Sequence, residues 1–232
     1  MAGVARGVFI AGTDTEVGKT RVAVAIVRAL VAAGMKVAAM KPVAAGAVQT
    51  ADGPRNADAL DLMAAANVET AYRTVNPFCL EEPTSPHISA RSAGIRIETA
   101  AIEREYAALA SRADLVVVEG AGGWLTPIGD VETMADVARA LNLPVVLVVA
   151  LRLGCLNHAL LTARAVRAAG LPLAGWVANC LQPQFPHVAE NIAYLERTLA
   201  APLLESVAFD ASAFASVTAM ERLRSSLLPV VM

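Results

Sequence analysis

The chain has 232 residues, of which 56% are hydrophobic and 17% charged, and its 19 basic and 21 acidic residues give a formal net charge of −2. These charges are mixed along the chain, which excludes the basic surface that binds nucleic acid or anionic lipid and favours a small-molecule partner. No Pro-, Gly- or Ser-rich linker and no shift in composition divides the chain, so we expect one domain over residues 1–232.

The cysteines and the apolar segments indicate a compartment. Cys79, Cys155 and Cys180 lie far apart without a CxxC pair, and the N-terminus lacks the long apolar core of a signal peptide. The longest apolar run, residues 143–151, is shorter than the ~20 residues that cross a bilayer. We expect a cytoplasmic protein with reduced cysteines and no membrane partner.

The first informative stretch is GTDTEVGKT at residues 12–20, which matches the pattern G-x-x-x-x-G-K-[ST]. A short apolar strand is predicted before it at residues 8–12. A helix is predicted after it at residues 19–34, with Gly34 as its terminator. A chance match in a glycine-rich turn would lack this strand and helix, so the stretch predicts a P-loop and a bound nucleotide.

The residue types of this loop suit a polyphosphate. Gly12 and Gly18 allow the turn that points consecutive N–H groups inward, and the helix N-terminus adds its positive dipole end. Lys19 would reach the β- and γ-phosphates, and the hydroxyl of Thr20 would hold Mg²⁺.

Two further candidates follow the predicted strand at residues 36–40. Lys41 stands at its carboxyl end, where ligands of open α/β sheets lie, although a solvated lysine that opens a proline turn would look the same. Residues 47–57 are polar and are predicted to form a loop. Asp58 falls in the first turn of a helix predicted at residues 58–67, where favouring the helix dipole is the simplest explanation for it.

A buried strand predicted at residues 115–119 ends in Glu119, and Gly120, Ala121 and Gly122 follow. A carboxylate at this position resembles the Walker-B residue that orients Mg²⁺. An incidental glutamate at a strand-to-loop turn is the alternative.

The second half of the chain adds two candidate positions. The helix that begins near residues 154–157 exposes free N–H groups, which can hold an anion such as a carboxylate. Asn179 ends a strand predicted at residues 173–180, and its amide can donate and accept as an adenine edge requires. Asparagine is also common simply as a turn former.

The remaining predicted elements complete an alternation of strands and helices. The further strands are residues 74–78, 144–150 and 203–208, and the further helices follow Pro86, cover residues 98–112, 133–142 and 187–199, and end the chain. This alternation predicts the α/β class, a doubly wound, mainly parallel sheet with helices on both faces, as in the P-loop NTPase fold. The spacing of His87, His158 and His187 does not suit zinc, and Ser85 has no serine-hydrolase setting.

The sequence resembles the dethiobiotin synthetase family of biotin biosynthesis over residues of about 8–204. The shared blocks, in the family's order and spacing, are GTDTEVGKT, KPVAAG, RNADAL, TVNPF, EPTSPHIS, VEGAGGW, LGCLNHALLTA and AGWVAN. The resemblance implies a homodimeric ligase that depends on Mg²⁺ and ATP. It would close a cyclic urea on 7,8-diaminononanoate with CO₂, giving dethiobiotin, ADP and phosphate.

The resemblance also implies roles for residues. Thr20, Asp58 and Glu119 would hold Mg²⁺, which makes Asp58 a ligand rather than a dipole partner alone. Lys19 and Lys41 would stabilise charge on the γ-phosphate and the carbamate. The resemblance implies that the carbamate and phosphate end of the site contains Thr15 and Glu16. It implies that the nucleotide is bound by Val17, Gly18, Arg21, Gly120, Ala121, Gly122, Asn179, Cys180, Ala208, Phe209 and Asp210. The implied substrate residues are Ala45 and, from the other protomer of the dimer, Gly154, Cys155, Leu156 and Asn157.

Two positions depart from the family pattern. Ala45 stands where KPVASG usually carries a serine that touches substrate, so that hydrogen bond is missing or comes from a neighbour. Cys180 follows Asn179 where the family often has aspartate.

The alternative function is that of a P-loop switch ATPase of the partitioning or septum-positioning type. Those proteins carry an additional lysine near the start of the loop, where this chain has Thr13 and Asp14. They also often end in a basic amphipathic helix, for which residues 221–232 are too short and too weakly basic.

Overall fold

A computed structural model describes residues 7–209, and the helix predicted at the C-terminus lies outside them. In this range the strands are β1 (Gly7–Gly12), β2 (Val37–Met40), β3 (Val43–Ala45), β4 (Val48–Thr50), β5 (Gly53–Arg55), β6 (Phe78–Leu80), β7 (Leu115–Glu119), β8 (Val145–Leu151), β9 (Leu173–Cys180) and β10 (Leu203–Val207). The helices are α1 (Lys19–Ala32), α2 (Ala57–Ala65), α3 (Tyr72–Val75), α4 (Pro86–Ser92), α5 (Thr99–Ala110), α6 (Met134–Leu141), α7 (Cys155–Ala168) and α8 (Val188–Thr198).

A six-stranded sheet organises these elements in the order β10-β9-β8-β1-β7-β2, and every neighbouring pair is parallel. The predicted parallel α/β sheet is therefore confirmed. β1 lies between β7 and β8, so the strands β2 and β7, which precede β8 in the chain, lie on one side of β1, and β8, β9 and β10 lie on the other. Ligands of such sheets lie beyond the carboxyl ends of the strands at this reversal.

Both faces of the sheet are covered by helices. Ile26 of α1 and Leu62 of α2 belong to the core on one face. Ile102 of α5, Val137 of α6 and Ala159 of α7 belong to the core on the other. The strands β1, β7 and β8 are runs of apolar residues because a strand covered on both faces has no solvated side. Within residues 7–209, no helix is long and apolar enough to cross a membrane.

The strand predicted at residues 74–78 is wrong. Helix α3 covers Tyr72–Val75, and β6 begins only at Phe78. The chain leaves the helix at Asn76, with φ −129° and ψ 76°, because the residue before a proline is disfavoured in the helical region. The apolar residues of TVNPF therefore belong to two different elements.

The loop predicted at residues 47–57 contains a β-hairpin. Strands β4 and β5 are antiparallel and pair Val48 with Arg55 and Thr50 with Gly53. Gly53 has φ 95°, in the left-handed region that glycine adopts without strain. The residues of β4 are exposed and those of β5 half-buried, so no apolar alternation marked the hairpin in the sequence.

Leu147 tests the central position of β8. β8 pairs with β1 and β9, and the Leu147 side chain is fully buried in the core on one face of the sheet. Leu147→Ala should lower the free energy of unfolding by ~2–5 kcal/mol because it leaves a cavity that the core does not refill. Leu125→Ala is the control, since Leu125 is 64% exposed, and it should change stability by less than ~0.5 kcal/mol. Guanidinium unfolding followed by circular dichroism measures both, and similar losses would contradict the buried position of Leu147.

Candidate active site

The candidate site forms where the carboxyl ends of β1, β7 and β2 meet. In the parallel register Ile10 of β1 lies beside Glu119 of β7, and Met40 of β2 lies beside Val118. The loop after β1, the last residue of β7 and Lys41 after β2 therefore come together, although they are far apart in sequence.

The loop at residues 12–20 has the backbone of an anion-binding turn. Gly18 has φ 87° and precedes α1, whose first turn has no side-chain cap, so its N–H groups remain free for a ligand. Glu16 has φ 57°, which is uncommon for a residue other than glycine and concentrates at functional sites. A Cβ on Gly12 would lie 2.7 Å from Val17 Cγ2, so only glycine fits there.

A buried polar cluster lies beside this loop and centres on Glu119. Thr20 Oγ1 donates to Glu119 Oε1 at 2.8 Å, and Lys41 Nζ donates to the same oxygen at 2.5 Å. Lys41 Nζ also donates to Asp58 Oδ2 at 3.1 Å. Residues predicted separately along the sequence thus form one contact network.

The two carboxylates decide the charge state of Lys41. Burial disfavours its charge, but the nearby Glu119 and Asp58 outweigh burial, and the pKa of Lys41 is raised. Lys41 is only 5% exposed and Glu119 only 1%. The solvated-lysine explanation of Lys41 is therefore wrong, and a protonated ammonium group is held in the interior at the strand end.

Lys19 is the second cation of the cluster. It is 6% exposed, and its Nζ donates to the backbone oxygen of Asp14 at 3.0 Å. Burial, and then the charge of Lys41, lower the pKa of Lys19 to about 8. A bound anion would stabilise both ammonium groups, so the electrostatics favour a polyphosphate at this position.

Three oxygen-bearing side chains fit a magnesium ion. Thr20, Asp58 and Glu119 supply hard oxygen donors, and the buried Glu119 Oε2 has no hydrogen-bond partner among residues 7–209. No group of three or more His, Cys, Asp or Glu side chains suited to a metal occurs in that range. Mg²⁺ binds through one or two carboxylates and completes its octahedron with water and phosphate oxygens, so the two carboxylates and one hydroxyl group present here suit it.

A cavity of about 760 Å³ opens over this cluster. The sequence-predicted residues that line it are Thr15, Glu16, Gly18, Lys19, Thr20, Lys41, Ala45, Asp58, Glu119, Ala121 and Gly122. The sequence reasoning missed another part of the wall, formed by Ala44, Asn56, Pro83, Thr84, Ser85, Pro86, Thr126 and Pro127. Residues 83–86 lie in the block EPTSPHIS, whose residue types did not indicate a particular chemistry in the sequence.

The other predicted residues lie outside the cavity wall. Val17 is buried in the core, and Gly120 packs where a Cβ would lie 3.0 Å from the Phe9 ring. Arg21 and Cys180 are half-buried. Ala208 and Phe209 are exposed, and Asp210 is not among the described residues.

The helix start at Gly154–Asn157 also lies outside the cavity of its own chain. Gly154 has φ 93° and precedes α7 without a side-chain cap. Cys155 is buried, whereas Gly154 and Asn157 are exposed. The Cys155 N–H donates to the Arg152 oxygen at 3.0 Å, so only the N–H groups that follow it in the first turn of α7 are left for another molecule to bind.

Asn179 contacts the P-loop. Its side chain is fully buried, and Nδ2 donates to the backbone oxygen of Val17 at 2.8 Å. Its Oδ1 has no partner within the described part of the chain. The structure thus adds a role that the sequence did not suggest, because the Asn179 side chain supports the backbone of the P-loop. Recognition of an adenine edge by Asn179 stays a prediction.

Arg152 is a second loop contact that the sequence reasoning missed. Its guanidinium lies 2.5 Å from Asp14 Oδ2, and Asp14 Oδ1 accepts from the Thr15 N–H at 2.8 Å. This ion pair joins the P-loop to the segment that leads into α7. No pattern in the sequence marked it, because the two residues are 138 positions apart.

The fold and this site define a P-loop protein of the α/β NTPase type. Solved structures with this fold include a ParA family ATPase from Chlorobium tepidum TLS, with a TM-score of 0.55 and 15% identity over 97% of this chain and 92% of that one. The cell division protein ftsY from Thermotoga maritima has a TM-score of 0.52 and 16% identity over 98% of this chain and 70% of that one. These similarities concern the fold alone.

Sequence relatives identify the family. A family model described as an AAA domain matches residues 6–212. The chain is 49% identical to the ATP-dependent dethiobiotin synthetase BioD of Vibrio campbellii, over 88% of this chain and 90% of the relative. It is 50% identical to BioD 1 of Escherichia coli O157:H7, over 84% and 87%. The chain belongs to the ATP-dependent dethiobiotin synthetase family.

The two roles of Asn179 are separable. If it recognises adenine, as we expect, Asn179→Ala should narrow the ratio of kcat/KM for ATP over GTP by roughly 5- to 150-fold, the value of a bidentate amide contact. Steady-state kinetics with both nucleotides measure this ratio. Asn142→Gly is the control, because Asn142 ends α6 with φ 50°, a conformation that glycine also adopts. Equal losses for ATP and GTP would assign Asn179 to support of the P-loop alone.

Proposed function

We propose that this protein is an ATP-dependent dethiobiotin synthetase, a ligase that converts 7,8-diaminononanoate, CO₂ and ATP into dethiobiotin, ADP and phosphate. The observation that carries the proposal is the cavity in which the P-loop, Lys19 and the Lys41–Glu119–Asp58 cluster meet. It combines a triphosphate-binding turn with two buried cations in a chain of this family. Such a reaction consumes ATP, which agrees with the expected cytoplasmic location.

ATP would bind with its phosphates along the loop. The free N–H groups of residues 16–21 and the N-terminus of α1 suit the triphosphate, since a helix N-terminus favours negative charge. Gly120, Ala121 and Gly122 would border the nucleotide on the side of β7. Asn179, Cys180, Ala208, Phe209 and Asp210 would lie towards the base, as the family resemblance implies.

Thr20, Asp58 and Glu119 would hold Mg²⁺. The ion would supply positive charge that neutralises the β- and γ-phosphate oxygens and keeps them in line for transfer. The support is the set of hard oxygen donors and the unpaired, buried Oε2 of Glu119.

The chemistry needs little from the protein beyond position and charge. One amine of the diamine captures CO₂ as a carbamate and releases a proton, and a carbamate oxygen attacks the γ-phosphorus as ADP leaves. The second amine then attacks the carbon of the resulting carbamic-phosphoric anhydride, forms the new C–N bond as the bond from carbon to the phosphate oxygen breaks, and loses a proton, which closes the ring and releases phosphate. Lys19 and Lys41 would stabilise the transferring phosphoryl group and the carbamate, and Thr15 would orient the carbamate end.

Ala45 cannot supply the hydrogen bond that a serine gives in the family pattern. Ala45 lines the cavity, and its backbone oxygen accepts from Asn56 Nδ2 at 3.4 Å. Thr84 and Ser85, which carry hydroxyl groups, line the same cavity, and Ser85 Oγ lies 3.0 Å from His87 Nδ1. We therefore place the missing contact with one of these two residues.

Lys41 gives the direct test of the reaction. The wild-type protein with diamine, bicarbonate and MgATP should form dethiobiotin, detected by mass spectrometry, and Lys41→Ala should reduce turnover by roughly 10²-fold or more because it removes a cation aimed at developing charge. Lys36→Ala is the matched control, since Lys36 is exposed just before the other end of β2. ATP hydrolysis that ignores the diamine would instead support a switch ATPase, which the fold-level likeness to ParA alone does not favour.

The dimer would complete the site. The start of α7 at Gly154–Asn157 lies outside the cavity of its own chain, and its N-terminal N–H groups would bind the carboxylate tail of the substrate in the partner's site. Each active site would then use the cluster of one protomer and the α7 start of the other.

Mixed dimers test this arrangement. Lys19→Ala and Asn157→Asp should each be inactive or impaired alone, the second because its carboxylate repels the substrate tail. Their isolated heterodimer would regain one of two sites and about half of wild-type turnover, given two-fold symmetry. A heterodimer of Lys19→Ala with Lys41→Ala is the control, since both of its sites stay damaged. If the first heterodimer recovers no activity, each site lies within one chain.

A further inference from the structure

A hydrogen-bond network beneath the cavity joins the two segments that carry Lys41 and Asp58. At its centre is the hydroxyl group of Tyr72 in α3. It accepts from the Asn56 N–H at 2.7 Å and donates to Asn76 Oδ1 at 2.9 Å. Neither Tyr72 nor Asn76 lines the cavity.

One arm of the network holds the backbone of Lys41. Asn76 Nδ2 donates to the Lys41 backbone oxygen at 2.6 Å, and the Lys41 N–H donates to the Val75 oxygen at 2.8 Å. Asn76 is only 2% exposed. Both backbone groups of Lys41 are therefore bound by residues adjoining the end of α3.

The other arm holds the start of α2. Asn56 is the N-cap of this helix, and its Oδ1 accepts from the Ala59 N–H at 3.3 Å. Asp58 lies two residues after Asn56, in the first turn. The position of the Asp58 carboxylate thus depends on where Asn56 is held, and Tyr72 binds its N–H.

The surroundings of Tyr72 suit a hydroxyl that keeps its proton. Burial is the main cause of a raised pKa for Tyr72, and the Cys79 thiol at 3.3 Å adds to it. The Arg55 guanidinium lies 4.3 Å from the ring centroid and fixes the ring by a cation–π contact. The hydroxyl can therefore accept and donate at the same time.

We propose that Tyr72 is a positioning residue that sets the separation of Lys41 and Asp58, and thereby the site for Mg²⁺ and the transferring phosphoryl group. Its hydroxyl is the link between the α2 start and Asn76. Without it, Asn56 N–H and Asn76 Oδ1 lose their shared partner, and the two segments remain joined, within residues 7–209, only by the Lys41–Asp58 ion pair at 3.1 Å and the long Asn56 Nδ2 bond to the Ala45 oxygen at 3.4 Å. This inference rests on the proposed function for its kinetic readout and on the Thr20, Asp58 and Glu119 site for its binding readout.

The test is Tyr72→Phe, which keeps the ring and removes one oxygen atom. It should raise the Mg²⁺ concentration for half-maximal rate and lower kcat, each by roughly 5-fold or more, as expected when buried polar groups lose their partner. The KM for the diamine should stay within about 2-fold, because Tyr72 does not line the cavity. Calorimetric titration of ATP with and without Mg²⁺ gives a readout independent of turnover, and the affinity gained from Mg²⁺ should shrink.

Three further variants are compared with Tyr72→Phe. Tyr106→Phe is the control, because the Tyr106 hydroxyl is buried without a hydrogen-bond partner in residues 7–209. Its loss should change neither the Mg²⁺ concentration for half-maximal rate nor kcat. Asp58→Asn is the positive reference for a weakened Mg²⁺ site. Asn76→Asp, which removes the donor to the Lys41 oxygen, should reproduce the effect of Tyr72→Phe.

The inference is overturned if Tyr72→Phe and Asn76→Asp keep the wild-type Mg²⁺ dependence in kinetics and calorimetry. It is also overturned if they lower only the melting temperature, since that is the behaviour of a merely structural hydrogen bond. Failure of the proposed function gives a different result, because the wild type would then form no dethiobiotin while calorimetry still reports nucleotide and Mg²⁺ binding.

Discussion

The ion pair between Lys41 and Glu119, at 2.5 Å and almost without solvent, is the constraint on which the site depends. Burying two charges costs several kcal/mol each unless their geometry and hydrogen bonds compensate. Here Thr20 and Asp58 supply the further hydrogen bonds. Because each of these side chains comes from a different element, the pair holds the ends of β2 and β7 and the starts of α1 and α2 in one arrangement.

This arrangement concentrates charge before any ligand arrives. Burial, and then the charge of Lys41, lower the pKa of Lys19, and one oxygen of the Glu119 carboxylate has no hydrogen-bond partner among residues 7–209. Phosphate would stabilise the Lys19 ammonium group, and a divalent cation would bind the remaining oxygen of the Glu119 carboxylate. The buried charges therefore lower the folding stability of the protein, but they are already in place to stabilise the charge that develops during phosphoryl transfer, where most of the catalytic effect is electrostatic.

The supports of the site come from residues without a chemical signature. Arg152 holds Asp14 of the P-loop, Asn179 holds Val17, and Tyr72 joins Asn56 to Asn76. Each contact spans a large sequence separation or crosses a turn that local patterns do not predict. Positions of this kind are found only when the neighbours of each side chain are known.

The sequence by itself determined the parallel α/β class, the P-loop between β1 and α1, and Glu119 at the end of β7, because each depends on a local run of apolar residues followed by a specific residue type. Asp58 needed the family resemblance, since a carboxylate in a first helical turn has an adequate local explanation. Only the tertiary structure decided the helical turn at Tyr72–Val75 and the contacts of Lys41 with Asp58 and Glu119. Those features arise from packing and charge between segments distant in sequence, which outweigh local preference and leave no periodic pattern along the chain.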